Sequence, residues 1–372
     1  MVMVVGKKQP TVKPNIENIT RATQSIYVKY IINCRNPTKK PEEHPADKKF
    51  TIEIGDTMTL KNFPAPGSDI DFNQPDSQLI NFFNVDQDKG YAYIGDSMIW
   101  LLTKNDTIEI NDTPSIQKIG NAPRSGEFFS RYNNTTKHLE IGPSITEIGR
   151  NAFFSNLLES VDFSNATSLT TIKQAAFSSC TSLTEITLPN SLRVIENKAF
   201  DSCTALNNLV LNDGLITIGP EAFTNCITLS TVTIPSTVTT IGRGAFSNDN
   251  ALSSLTFDGT TPSIKTIESF AFCDKGGSIT LTIPSSVEKL GLKCFNEFDP
   301  DNITLADELL NTKWSLRSST GSEIQMFILG VEEQRNDFLK GITGATGFSK
   351  AGEFTDDTLG YFEIIQQTQP VR

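Results

Sequence analysis

Histidine occurs only twice in the 372 residues, as His44 and His138, and tryptophan twice. Neither histidine stands at a spacing that pairs it with a second metal ligand or a nucleophile. The chain also lacks a glycine-rich phosphate loop, a nucleophile elbow and a His-Glu-x-x-His run. No catalytic residue, metal ligand or cofactor-binding residue is therefore assigned, and the chain is expected not to be an enzyme. Carboxylates are plentiful, but no spacing singles out an acid/base pair. Asp86-Gln-Asp88-Lys-Gly90 opens like a calcium loop, yet the position that should supply the late acidic ligand is Ser97, so the stretch reads as an exposed turn.

Long apolar runs are missing as well. No stretch approaches the ~20 residues of a membrane span. The apolar start, Met1 to Val5, is shorter than the roughly 7–15-residue core of a secretory signal, so no such signal is expected here. Dense Lys/Arg runs are absent and the net charge is −11, which disfavours nucleic acid and anionic membranes as partners. That acidity reads first as a solubility device. Asn-x-Ser/Thr triplets occur at Asn18, Asn105, Asn111, Asn133, Asn134, Asn165 and Asn302, as a chain rich in Asn and Thr generates by chance.

What the chain does have is repetition. An Ile-x-x-x-Ala-Phe core begins at Ile148, Ile172, Ile195, Ile218, Ile241 and Ile267, and returns at Leu290 as Leu-Gly-Leu-Lys-Cys-Phe; successive copies lie 23, 24 or 26 residues apart. A fixed period of this length is the signature of a stacked array. Each copy also holds a short alternating segment, such as Ile186 and Leu188, Leu209 and Leu211, or Val232 and Ile234, which reads as a strand ended by Pro or Gly. The Ala-Phe half has the spacing of a helical or 3-10 turn and is too short for a free helix. One copy cannot bury its own apolar side, so the copies must stack. The expected result is a parallel sheet on one side and Phe-lined turns on the other, right-handed as parallel crossovers are.

The recurring Ile-Gly-x-x-Ala-Phe-x-x-Cys pattern resembles the BspA-type leucine-rich repeat family over about the middle half of the chain, from Leu139 to Phe298. The resemblance implies a leucine-rich-repeat solenoid used for interaction, with adhesion at a microbial surface as its usual setting.

The columns predict the core. Phe153, Phe177, Phe200, Phe223, Phe246, Phe272 and Phe295 form one stack, beside Ala152, Ala176, Ala199, Ala222, Ala245, Ala271 and Cys294. Cys180, Cys203 and Cys226 share a further column. Stacked strands put equivalent residues about 4.8 Å apart, beyond the disulfide Cβ separation of about 3.8 Å, so buried, reduced thiols are expected. Asn156 and Asp249 stand in the same column, which points to a small polar group capping backbone carbonyls inside the coil.

Three segments are expected: a β-rich N-terminal module or cap over 1–97, the solenoid over 98–305, and a C-terminal cap and flexible tail over 306–372. Ser25 to Ile32 reads as one strand, and Lys49 to Leu60 as two strands around Gly55-Asp56. The tail from Gly330 carries Gly341, Gly344 and Gly347 at a three-residue period, the form found in fibre-forming chains. Ile108 to Gly120 repeats the coil pattern weakly, after which residues 121–137 form an insert on one face.

Two surfaces are candidates for binding. The first is the outward side of the strands, Asp162, Glu185, Thr187, Asn208, Val210, Thr231, Thr233, Thr256 and Thr282, short-chained and rich in hydroxyls; β-propensity alone also accounts for threonine there. The second is the insert, with Phe128, Phe129, Arg131 and Tyr132. The reading is a scaffold that displays this sheet to a protein or glycan partner. The rival class is structural, a component of a particle, fibre or cytoskeletal assembly built through homo-oligomer or larger contacts.

Overall fold

The computed structural model describes residues 117–119, 137–155, 157–259, 261–273, 279–355 and 359–365, together with the backbone of strands upstream. Its centre is a solenoid in which each 23-residue period makes one coil, and the coil has three sides.

The first side is the predicted one. Strands His138–Ile141, Ser160–Asp162, Glu185–Thr187, Asn208–Val210, Thr231–Ile234, Ser254–Phe257, Leu281–Ile283 and Ile303–Leu305 follow one another at the coil period. Their ladder bonds run in groups: Glu185–Thr187 with Asn208–Val210, Thr231–Ile234 with Ser254–Phe257, and Leu281–Ile283 with Ile303–Leu305.

The second side is a sheet where the sequence suggested only a connection. The pairs Glu147–Ile148, Thr171–Ile172, Val194–Ile195, Thr217–Ile218, Thr240–Ile241 and Thr266–Ile267, then Lys289–Gly291, are two- and three-residue strands joined in one unbroken parallel ladder. Ile148, Ile172, Ile195, Ile218, Ile241, Ile267 and Leu290 are in register down this sheet and point inward, at most 1 % exposed. Two residues give no period-two alternation, which is why this ladder is hidden in the sequence.

The third side carries the Ala-Phe pairs. The i to i−3 bonds expected from the spacing are present, for example Ala199 N–H to Glu196 O at 3.3 Å and Cys203 N–H to Phe200 O at 3.3 Å. They do not propagate into a helix, because left-handed residues interrupt each turn: Lys198 at φ 57° and Ser202 at φ 60°, with Glu221 and Asn225 in the next coil. That conformation costs an L-residue about 1–2 kcal/mol. It also turns alternate N–H groups along the solenoid axis, where they bond the next coil: Lys198 N–H to Pro220 O at 3.0 Å, Phe200 N–H to Ala222 O at 2.7 Å and Ser202 N–H to Thr224 O at 2.8 Å. The third side is thus also tied to its neighbours by backbone bonds.

Between the three sides lies one continuous core. The seven column phenylalanines stack nearly parallel, with ring centroids 5.1–5.7 Å apart and interplanar angles of 2–12°. All are at most 1 % exposed. Cys180, Cys203, Cys226, Cys273 and Cys294 are free and buried as expected, while Cys34 lies outside the described residues. Three thiols each donate to a carbonyl of the preceding coil, Cys203 Sγ to Phe177 O at 3.3 Å among them. Burial pushes the Cys203 and Cys226 thiols well up, away from the reactive thiolate form.

Both ends of the long sheet meet antiparallel strands. Upstream, Thr57–Lys61, Asn81–Asp86, Tyr91–Ile94 and Ser97–Leu101 form a meander, and Ser97–Leu101 then pairs in parallel with Lys118–Ile119. Gln24–Ile31 is the expected single strand. Strands do flank Gly55-Asp56, but Lys48–Ile52 pairs with Gln24–Ile31, and Thr57–Lys61 joins the meander. Downstream, Tyr361–Ile364 runs antiparallel to Lys289–Gly291 and to Lys313–Arg317, which in turn pairs with Glu323–Ile328.

The segment from Gly330, expected as a flexible tail, is instead a helix over Glu332–Thr343. Phe338, Leu339 and Ile342 fall on one helical face and bury themselves with Trp314, Phe327 and Phe362. The three-residue glycine period is no fibre motif. Gly341 packs so close to Phe362 that a Cβ there would lie 2.8 Å from the ring, and Gly344 at φ 72° is the left-handed residue that closes the helix.

Candidate functional site

Two surfaces of the solenoid present polar side chains in rows. On the first side, alternation sends every second strand residue outward. Asp162, Glu185, Thr187, Asn208, Val210, Thr231, Thr233, Thr256 and Thr282 are all exposed, on one face of the array. The register sets Glu185 beside Asn208, Thr187 beside Val210, and Thr233 beside Thr256. Neighbouring hydroxyls bond each other, Thr256 Oγ1 to Thr233 Oγ1 at 3.1 Å and Thr282 Oγ1 with Thr304 Oγ1 at 2.8 Å. Asp162 is held by its own turn, Oδ1 accepting from Ser164 N–H at 2.7 Å. Phe128, Phe129, Arg131 and Tyr132 of the insert lie outside the described residues.

The sequence did not single out the second surface. On the third side, from Lys198 onward, residues on both flanks of the Ala-Phe pairs line an open groove of about 620 Å³ that crosses several coils. Asp201 sits at one end, accepting from Ser202 Oγ at 2.9 Å and from Asn225 Nδ2 at 3.3 Å; Asn225 Oδ1 in turn accepts from Asn248 Nδ2 at 3.2 Å. Thr224 Oγ1 and Ser247 Oγ are 2.6 Å apart. Lys198 pairs with Glu221 at 3.0 Å, and that carboxylate holds the lysine above its ordinary pKa. Phe270 forms a wall of the groove, with Arg243 Cζ 5.8 Å and Lys293 Nζ 5.5 Å from its ring centre. The signal was there in principle: small polar residues, Ser202, Asn225 and Asn248, recur at one column position.

A buried acid lies inside the coil, away from either surface. Asp249 is fully buried in the cysteine column; Oδ1 accepts the Cys226 N–H at 2.7 Å, and Oδ2 has no partner. The polar group expected at this column therefore caps an N–H group, while the thiols bond the carbonyls. Burial pushes the Asp249 carboxyl well above the usual carboxylate range, the Cys226 hydrogen bond opposing it. Among the described residues no group of three or more His, Cys, Asp or Glu converges to hold a metal ion.

Coils of this length, with two parallel ladders and a phenylalanine stack, define a leucine-rich-repeat solenoid. The chain belongs to the BspA type leucine-rich repeat family, whose model matches six copies over residues 92–226 and 193–314. No curated protein matches the chain. Among solved structures it is similar to the Treponema pallidum leucine-rich repeat protein TpLRR, at 24% identity over 47% of this chain and 81% of that one, with a TM-score of 0.39. It is also similar to a leucine-rich cell surface protein from Faecalibacterium prausnitzii A2-165, at 23% identity over 64% of this chain and 59% of that one, TM-score 0.42. A third likeness is to the pneumococcal vaccine antigen PcpA, at 16% identity over 59% of this chain and 81% of that one, TM-score 0.33. Among the described residues no helix is long and apolar enough to cross a membrane.

Proposed function

We propose that the chain is a non-enzymatic adhesion scaffold that binds a protein partner through the outward face of its first side, in the microbial surface setting that the repeat family suggests. The observation that carries this reading is the row of exposed side chains from Asp162 to Thr282 on a scaffold tied together by backbone bonds on three sides. Short side chains lose little conformational entropy on binding, and a rigid support removes the ordering cost of the backbone. Val210, 38 % exposed between Thr187 and the following coil, is the apolar anchor of the patch. The insert at 121–137 supplies a second contact through Phe128, Phe129, Arg131 and Tyr132.

The test uses the full chain and a triple variant, Thr187→Lys, Val210→Lys and Thr233→Lys, as paired baits for crosslinking capture from intact cells of the source. A partner recovered by the native chain should be lost by the variant, and weakened when residues 121–137 are deleted. Equal recovery by native and triple-variant baits removes the face from the reading.

A further inference from the structure

We propose that the groove on the third side is a saccharide site, taking an unbranched neutral oligosaccharide laid along the solenoid axis. This site is separate from the strand face and does not rest on it.

Charge comes first. The groove's ionised groups come close to balance: Lys198 and Arg243 stand against Asp201, Glu221 and Glu297, with Lys198 paired to Glu221 at 3.0 Å and Asp201 accepting from Ser178, Ser202 and Asn225. A ligand of strong net charge of either sign finds little surplus to meet it. What remains is an alternation of donors and acceptors. Asn225 donates one amide hydrogen to Asp201 and accepts one from Asn248, which leaves it one N–H and one lone pair. Asn248 also keeps a second amide hydrogen. Such mixed pairs meet vicinal hydroxyls, each of which both donates and accepts.

Spacing comes second. Neighbouring coils advance by 5.1–5.3 Å, as the phenylalanine stack from Phe200 to Phe272 measures. Pyranose rings joined end to end advance by a comparable ring length, so successive sugars meet Ser202, Asn225 and Asn248 in turn.

Shape comes third. Gly244 stands where neighbouring coils carry Glu221 and Phe270, all with positive φ. A Cβ at Gly244 would lie 3.3 Å from Ser247 Oγ and 3.4 Å from Glu221 Cγ, closer than ordinary contact, so the backbone there is left bare between two side chains. The depression that results lies beside the half-buried Phe270, whose ring offers an apolar surface to the C–H groups of a sugar.

The test is calorimetric titration of the full chain with three neutral tetrasaccharides, cellotetraose, β-1,4-mannotetraose and fully N-acetylated chitotetraose, alongside the acidic tetramer of galacturonate. At least one neutral tetramer should bind. Phe270→Asn, which suits the left-handed backbone and removes the ring, should weaken that binding tenfold or more. Gly244→Lys, which puts in the residue that the same column carries at Lys198, should do the same by filling the depression. The unfolding midpoint of Phe270→Asn should stay near the native value, that of Gly244→Lys should fall modestly because a side chain enters the left-handed region, and Thr233→Lys on the strand face should leave binding unchanged. Binding of no neutral tetramer, binding of galacturonate alone, or undiminished binding by both groove variants overturns the proposal.

Discussion

The two sheets of the solenoid are built from the same chain, coil by coil, and they have been left very different freedom. The second side spends two or three residues per coil, in five of its eight strands a Thr or Val followed by an inward Ile, and its ladder is unbroken from Lys118–Ile119 to Lys289–Gly291. The first side spends three or four residues, bonds its strands in groups, and varies its outward residues from Glu185 to Asn208 to Thr231. Regularity on one side thus carries the stacking, and the other is left freer to vary. The same division holds within a coil: Phe200 is invariant in kind with its stack, while Asp201 and Ser202, one and two residues on, open into the groove.

That contrast can be broken at its strongest point. Phe200→Ala removes the middle of the stack from a site with 0 % exposure, and should cost about 3–5 kcal/mol, read as a fall in the urea midpoint; a loss below about 1 kcal/mol would mean that the stack does not carry the fold. Asp249→Asn acts in the opposite sense. It keeps the acceptor to Cys226 N–H and removes the ionisable group, while its amide still occupies the unpartnered Oδ2 position, so any gain comes from the lost ionisation alone. Because the native carboxyl is held above its ordinary value, the unfolded chain releases this proton first, so the native protein loses stability as pH rises past about 4. The gain in Asp249→Asn should be absent near that pH and grow toward neutrality, which melts across the range would reveal; a gain independent of pH would mean that ionisation is not the cause. The smallest effect belongs to the surface. Lys198–Glu221 has both side chains 43% exposed, and Lys198→Ala should change stability by about 0–1 kcal/mol; a larger loss would make the third side a bearer of stability beyond its backbone bonds.

The coils were legible because inward residues recur at one period, so Phe153 to Phe295 could be named as a column before any geometry. The second ladder was not, since Thr217-Ile218 is too short to show alternation and looks like any connection. The left-handed turns were hidden for another reason: their column holds Asn151, Ala175, Lys198, Glu221, Gly244, Phe270 and Lys293, and only one of these is the glycine that usually marks such a backbone. Stacking overrides local preference there, with N–H groups of the next coil as the return. The terminal helix is obscured in the sequence because Gly341, Gly344 and Gly347, poor helix formers, interleave with Phe338, Leu339 and Ile342, three residues at helical spacing in the same segment. Of the candidate surfaces, the strand face followed from alternation alone, whereas the groove depends on a backbone twist that residue types do not announce.

The reversed strand Tyr361–Ile364 bears on how such a molecule changes in length. A new coil at that end would need a neighbour running the same way as Lys289–Gly291, and the free flank there is already taken by a strand of opposite direction. Duplication of a 23-residue unit therefore has to happen between existing coils, as a link is added to the middle of a chain whose clasp stays shut. Each such event would lengthen both the strand face and the groove by one step while leaving the ends untouched.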